Sequence, residues 1–116
     1  MQMQVVTLFP EMVKTVVQFG VVGRAVERGI LALHCEDPRE HTTDNHRTVD
    51  DRPYGGGPGM VMKYEPVSAA LKTARKAMPE GSPVVCLSPQ GAVFDQATAK
   101  RYAELPGIIL LAGRYE

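Results

Sequence analysis

The stretch Pro106-Gly107-Ile108-Ile109-Leu110-Leu111-Ala112-Gly113 decides the fold of this 116-residue chain. Residues 108–112 are all apolar, without the alternation that a half-exposed strand shows, so they predict a strand that is buried on both faces. A Pro-Gly turn precedes this strand and a glycine follows it, and both interrupt regular structure. Strands of this kind belong to parallel sheets that helices cover on both sides.

Apolar strands and helices alternate along the rest of the chain. Other apolar runs predict strands at residues 5–9, 30–35 and 84–87. Helices are predicted at residues 10–20, 23–28, 64–78 and 96–103, with Asp95 as the N-cap of the last one. The helix at 64–78 has one apolar face, formed by Val67, Ala70, Leu71, Ala74 and Met78. This order predicts an α/β fold in which a parallel sheet is flanked by helices.

Polar, glycine-containing breaks follow the last two predicted strands. Residues 88–91 follow one strand and residues 113–116 follow the other, and one helix joins the two strands. Strands that are joined in this way can be neighbours in the sheet. Ligands of parallel sheets bind beyond the carboxyl ends of the strands. We therefore expect both breaks to face one crevice and to form a ligand site.

A glycine- and proline-rich segment at residues 54–59 lies in the middle of the chain. Its four glycines permit positive φ and a close approach of ligand to backbone, and the flanking prolines restrict its freedom. Met60 follows Gly59, which matches neither a Walker loop nor a dinucleotide fingerprint. The surrounding residues 37–62 show no period, as is usual for functional or disordered segments. We interpret the segment as a binding loop; the alternative is a surface turn whose glycines serve only the backbone.

The composition is that of a soluble globular domain, with 44% hydrophobic and 22% charged residues. Lys and Arg number 13 and so do Asp and Glu, and this neutral total argues against non-specific binding of nucleic acid. Local basic patches remain possible at Arg39, Arg47 and Arg52, or at Arg24 and Arg28. The N-terminus does not resemble a signal peptide, and no apolar run has the length of a membrane span.

The two cysteines, Cys35 and Cys86, both lie in apolar strand-like runs. This placement predicts two buried, reduced thiols in a cytosolic protein. A nucleophilic role for Cys86 would need a basic neighbour, and the sequence places none there. Ser88 lacks the Gly-x-Ser-x-Gly context of a hydrolase, so we interpret its hydroxyl as a hydrogen-bonding group for a ligand.

Charged and polar side chains offer two further hypotheses. The His, Cys, Asp and Glu residues between positions 34 and 46 match no standard zinc spacing, so we predict no metal site. Glu116 could accept hydrogen bonds from the N1-H and amino group of guanine, and Arg114 could hold a phosphate or carboxylate. Both are equally consistent with ordinary surface charges.

The chain resembles the bacterial tRNA (guanine-N1)-methyltransferases, the TrmD family of the SPOUT superfamily, whose fold contains a trefoil knot. Five blocks carry the resemblance along the whole chain, at residues 8–12, 23–25, 46–60, 87–91 and 113–116. The resemblance implies transfer of a methyl group from S-adenosylmethionine to N1 of the guanosine 3′ of the anticodon. It also implies cytoplasmic tRNA as a partner and a homodimer with the active site at the subunit interface.

The resemblance assigns roles to residues of this chain. It implies a guanine contact for Glu116, while the phosphate contact of Arg114 remains the expectation from its guanidinium group. It implies contact with the methyl donor for Cys86, Leu87, Ser88, Pro89, Gln90, Gly113, Tyr115 and Glu116, and for Tyr54, Pro58 and Gly59 of the glycine loop, which borders the same pocket.

Family members are longer than this chain. The expectation is that residues 1–116 are an incomplete S-adenosylmethionine-binding domain of the SPOUT type, truncated before the knot can close. The C-terminal tRNA-binding domain and the aspartate that acts as general base are then absent. Two alternatives stay open. One is an inactive fragment that binds the donor and dimerises, and the other is an unrelated small α/β enzyme whose glycine loop binds phosphate.

Overall fold

The computed structural model describes residues 1–115. Its strands are β1 (Gln2–Thr7), β2 (Ala32–Glu36), β3 (Asp50–Asp51), β4 (Val61–Met62), β5 (Val84–Cys86) and β6 (Gly107–Ala112). Its helices are α1 (Pro10–Val16), α2 (Gly20–Glu27), α3 (Tyr64–Lys76) and α4 (Gln96–Ala103), with a short 3-10 helix at Pro38–His41. Within residues 1–115, none of the helices has the length and apolar character needed to cross a membrane.

The main sheet has four strands in the order β2-β1-β6-β5, and all three pairs are parallel. The central strands β1 and β6 pair along their whole length, from Gln2 opposite Gly107 to Thr7 opposite Ala112. The predicted α/β fold with a parallel sheet flanked by helices is therefore confirmed. The predicted apolar strand near the end of the chain occupies the centre of this sheet, as its composition requires.

Helix α3 packs on one face of the sheet and forms the core. Ala70 and Ala74 are fully buried against Val6 and Ile109, and Met78 completes the cluster beyond the end of the helix. The small alanines let the helix approach the sheet closely. Burial of a side chain such as Ile109 stabilises the fold by about 1.5–3 kcal/mol. The apolar face predicted for this helix is confirmed.

Helix α4 lies over the opposite face of the sheet. Side chains alternate along a strand, so Ile108 and Leu110 point away from the face that Ile109 shares with α3. With residues of α4 they line a cavity on that side. The carboxylate of Asp95 accepts a hydrogen bond from the backbone N–H of Thr98 at 2.8 Å, which confirms the predicted N-cap.

Some predicted boundaries at the start of the chain are wrong. Strand β1 covers residues 2–7 rather than 5–9, because the backbone N–H of Phe9 donates to Thr7 Oγ1 and Pro10 then begins α1. Helix α1 ends at Val16, and α2 begins at Gly20 rather than Gly23. The apolar spacing that suggested one longer helix continues across this junction, so it could not indicate where the first helix ends.

The predicted burial of the two thiols and of the strand at residues 84–87 is wrong. Strand β5 is at the edge of the sheet, and its residues are half-buried or exposed. Cys86 is exposed, Cys35 is half-buried, and both are free thiols. Partial burial raises the pKa of the Cys35 thiol above its ordinary value. A short apolar run does not reveal whether its strand has one neighbour or two.

Candidate functional site

The carboxyl ends of β5 and β6 lie side by side. Cys86 is opposite Leu111 in the parallel pair, and the backbone N–H of Leu87 donates to the Leu111 carbonyl at 3.0 Å. The segments that follow these strands, residues 88–91 and 113–115, therefore begin next to each other. The two strands are neighbours, as predicted, whereas a crevice shared by both breaks stays a prediction.

Residues 88–91 form a tight turn. The N–H of Gly91 donates to the Ser88 carbonyl at 3.1 Å, and the N–H of Gln90 donates to Ser88 Oγ at 3.2 Å. Pro89 occupies the second position of this turn, where its fixed φ is favourable. The Ser88 hydroxyl thus shapes the turn as an acceptor, while its own proton is still free to be donated to another group.

A cavity of about 850 Å³ begins at this turn and continues beneath α4. Cys86, Leu87, Ser88 and Pro89 line it, whereas Gln90, Gly113, Tyr115 and the glycine loop do not. Most of the other lining side chains are apolar, and no Asp, Glu or His side chain of the described residues is among them. The cavity thus contains four of the predicted donor-binding residues, but it does not reach the second break.

Sequence reasoning missed the contribution of α4 and the segment before it. Phe94 and Tyr102 both line the cavity, and their rings stack with centroids 6.2 Å apart. Thr98 and Ala99 line it as well. Thr98 and Tyr102 are four residues apart, so they share one side of the helix. This spacing groups the two side chains, but it does not show which side of α4 meets the sheet.

The glycine loop meets the end of β6. Strands β3 and β4 pair antiparallel on either side of the loop, with Asp51 opposite Val61, and the N–H of Lys63 donates to the Val49 carbonyl at 2.8 Å. A Cβ on Gly113 would lie 3.5 Å from Met62 Sδ. The base of the loop is therefore held against the second of the two breaks.

The glycines of this loop allow a backbone conformation that other residues rarely adopt. Gly55, Gly56, Gly57 and Gly59 all have positive φ, between 80° and 122°. The N–H of Gly56 donates to the Pro53 carbonyl at 3.0 Å, so Gly55 occupies the third position of a turn, where a type II turn needs positive φ. The prediction of positive φ and of a shaped loop is confirmed.

Two of the three arginines near the loop have partners within the chain. Arg39 donates to the Leu8 carbonyl at 2.6 Å and lies over the Phe9 ring, and Arg47 forms an ion pair with Glu40. Arg52 is exposed and has no ion pair among the described residues. The guanidinium groups of Arg39 and Arg47 are therefore occupied by partners within the chain, and Arg52 is what remains of the possible basic patch.

Polar residues between positions 34 and 46 form hydrogen bonds within the chain. His41 Nε2 lies 2.6 Å from Glu36 Oε1, and the Asp44 carboxylate accepts hydrogen bonds from the hydroxyl and backbone N–H of Thr48. The bond from the Thr48 hydroxyl is the main reason that the pKa of Asp44 lies below its ordinary value. Within residues 1–115, no three His, Cys, Asp or Glu side chains are grouped as a metal site would require.

Of the two residues predicted to contact guanine or phosphate, the structure describes Arg114. Arg114 is exposed at the end of the second break, and Tyr115 beside it is half-buried. Glu116 lies outside the described residues. The roles of Arg114 and Glu116 stay predictions, as do donor contacts by Tyr54, Pro58 and Gly59.

Comparison with known proteins gives consistent matches. The family model described as "tRNA (Guanine-1)-methyltransferase TrmD" matches residues 1–116. The curated tRNA (guanine-N(1)-)-methyltransferase of Hahella chejuensis is 57% identical over 112 residues, which cover 97% of this chain and 43% of that protein. The protein of the same name from Methylococcus capsulatus is 54% identical over 116 residues, covering 100% and 46%. The chain thus spans less than half the length of these relatives.

A solved structure has the same fold. The crystal structure of the tRNA (m1G37) methyltransferase from Aquifex aeolicus matches with a TM-score of 0.87 and 32% sequence identity. The match covers 100% of this chain and 52% of that one. Because the family model also extends over every residue, the chain belongs to the tRNA (Guanine-1)-methyltransferase TrmD family.

Proposed function

We propose that this chain forms the methyl-donor-binding part of a tRNA (guanine-N1)-methyltransferase. The enzyme transfers a methyl group from S-adenosylmethionine to N1 of the guanosine 3′ of the anticodon, in tRNA of the cytoplasm. Residues 1–116 then belong to a SPOUT-type domain. The observation that carries the proposal is the pair of adjacent strand ends, Leu87 beside Leu111, in a chain that matches the family throughout.

The residues at these strand ends suit the methyl donor. Val85, Leu87 and Phe94 give the cavity an apolar lining against which an adenine ring can pack, and the Ser88 hydroxyl can donate to a polar group of the ligand. Gly113 leaves the backbone at the end of β6 uncovered. The donor residues that we propose are Cys86, Leu87, Ser88, Pro89, Gln90, Gly113, Tyr115 and Glu116. The sulfonium donor supplies an electrophilic methyl group when it is bound.

The described residues support binding more directly than proton transfer. N1 of guanine carries a proton that a base must remove as the nitrogen attacks. No carboxylate or imidazole of the described residues lines the cavity. We propose Arg114 and Glu116 for contacts with phosphate and guanine. The lining favours a second candidate function for this chain taken alone, which is to bind the donor and dimerise without catalysis.

An exposed apolar surface on α1 and the residues that flank it supports the proposed homodimer. Phe9, Met12, Val16 and Phe19 are large apolar side chains that remain exposed, and Met12 and Val16 lie one helical turn apart. Apolar patches of this kind mark interaction sites more often than ordinary surface. A second copy of this chain is the occupant that we propose.

Calorimetric titration with S-adenosylmethionine and a methyl-transfer assay on a tRNA transcript test the proposal together. We expect one donor bound per chain. Transfer to a transcript with guanosine 3′ of the anticodon, but not to its adenosine counterpart, would show that the chain also performs the chemistry. Donor binding without transfer would identify the chain as the binding-only module. Binding of ATP in place of S-adenosylmethionine would contradict both and favour a phosphate-binding loop.

A further inference from the structure

Tyr54 is the most exposed large side chain on the glycine loop, with a relative accessibility of 106%. No other described part of the chain covers its ring. An aromatic ring in this position contributes no burial to the folded state, although aromatic side chains owe their stabilising effect to buried area. The ring is therefore available to a partner and does not support the fold.

The loop fixes the place from which this ring projects. Tyr54 is the second residue of the turn closed by the Gly56 N–H and the Pro53 carbonyl. The pairing of β3 with β4 anchors the loop, and Met62 at its base lies close to Gly113. The turn and the hairpin fix the backbone from which the ring projects, so binding orders the tyrosine side chain rather than the whole loop.

We propose that Tyr54 stacks on an unpaired base of the substrate RNA. This inference rests on the proposed function and assigns Tyr54 to the RNA rather than to the methyl donor. Proteins bind single-stranded RNA loops by stacking bases on exposed aromatic rings. Tyr54 is not among the residues that line the cavity beside Cys86, and its ring is fully exposed.

The charges around Tyr54 favour stacking over phosphate attraction. Arg52 precedes the turn, but Asp50 and Asp51 of β3 lie beside it and offset its charge. The Asp51 carboxylate accepts a hydrogen bond from the backbone N–H of Arg52 at 2.7 Å. A loop without net positive charge binds RNA by contacts with bases more than by release of counterions.

The test compares Tyr54→Ala, Tyr54→Phe and wild type in the full chain. The dissociation constants for an unmodified tRNA transcript and for S-adenosylmethionine are measured for each protein, the former at two salt concentrations. We expect Tyr54→Ala to weaken RNA binding by about tenfold or more, as the loss of one base stack does. Tyr54→Phe retains the ring and should bind RNA almost as tightly as wild type. Donor affinity and the salt dependence should stay as in wild type.

Tyr64→Ala is the matched control, because it truncates another exposed tyrosine, the one that begins α3. Equal RNA affinity in Tyr54→Ala and wild type would overturn the inference, and so would an equal loss in Tyr64→Ala. Weaker donor binding with unchanged RNA affinity would assign Tyr54 to the donor instead. A wild-type chain that binds no RNA would overturn it as well. If wild type binds RNA and donor but transfers no methyl group, the proposed catalysis fails while the stacking result still stands.

Discussion

Met62 Sδ lies 3.5 Å from the point that a Cβ on Gly113 would occupy. The two residues belong to segments that are far apart in the sequence, the hairpin that holds the glycine loop and the end of the central strand β6. The φ of Gly113 is outside the left-handed region, so its backbone does not require glycine. A need for glycine at this position would therefore come from the ligand.

Gly113→Val is expected to abolish donor binding, with a dissociation constant for S-adenosylmethionine raised by about tenfold or more, since ~1.4 kcal/mol of steric conflict suffices. Gly113→Ala is the control for folding. Its Cβ makes an ordinary contact with Met62, and we expect the free energy of unfolding to change by less than about 0.5 kcal/mol. Calorimetry and urea unfolding measure the two effects. Unchanged donor affinity in Gly113→Val would show that Gly113 is a turn residue only.

Gly57→Ala should distort the glycine loop. Gly57 has φ of 122°, where a side chain is strained by about 1–3 kcal/mol although nothing would contact its Cβ. We expect weaker binding of a tRNA transcript and little change in the unfolding of the core, because the loop lies on the surface. Gly55→Asn is the control, since asparagine accepts the positive φ that the turn needs there. Equal affinities of Gly57→Ala and wild type for the transcript would contradict a shaped loop with a function.

Gly107→Ala should destabilise the core without affecting the site. A Cβ at this buried position would lie 2.7 Å from Ser82 Oγ, 2.8 Å from Met78 Cε and 2.9 Å from Pro79 Cδ. Overpacking of this kind costs about 1–3 kcal/mol of unfolding free energy. The donor affinity, measured well below the melting temperature, should remain that of wild type. A variant as stable as wild type would mean that the loop at residues 79–82 can move away.

Local patterns in the sequence predict much of this fold. They fail where a feature depends on contacts between segments that are distant in the sequence. The strand at residues 108–112 and the Asp95 cap were predictable because their signals lie within a few adjacent residues. The exposure of Cys86 was not, because it depends on β5 having β6 as its one partner in the sheet. The two-residue strands β3 and β4 are too short to produce a periodic signal.

In the candidate site, too, some features could be predicted from the sequence and others could not. The adjacency of the two strands followed from the order of strands and helices, and it is confirmed by the bond between Leu87 and Leu111. The proximity of Met62 to Gly113 could not be predicted, since no short-range pattern links a hairpin to a distant strand end. The stacked Phe94 and Tyr102 were missed because their meaning depends on which face of α4 meets the sheet.

The Asp95 cap should make stability depend on pH. The hydrogen bond from the Thr98 backbone N–H lowers the pKa of Asp95 in the folded chain. The stabilisation is then fully present above the unfolded pKa of about 4, and it is lost as the pH falls through the lower folded value. Asp95→Ala should unfold more easily than wild type at pH 7, and the difference should shrink in acid. Asp95→Ser keeps a capping oxygen without a charge, so its stability relative to Asp95→Ala should not vary with pH. A difference between wild type and Asp95→Ala that is constant down to pH 2 would contradict this account.

Met12→Glu should weaken the proposed homodimer and leave the monomer folded. Met12 is 67% exposed on α1, so its replacement removes little packing within the chain. Across an apolar interface it would bury an unpaired charge, which raises the dimer dissociation constant by at least about tenfold. Sedimentation equilibrium measures this constant. Thr73→Glu, on the exposed side of α3, is the control, because it adds the same single negative charge. Dimers of Met12→Glu as tight as those of wild type would exclude α1 from the interface, and a wild-type chain that stays monomeric would refute the dimer itself.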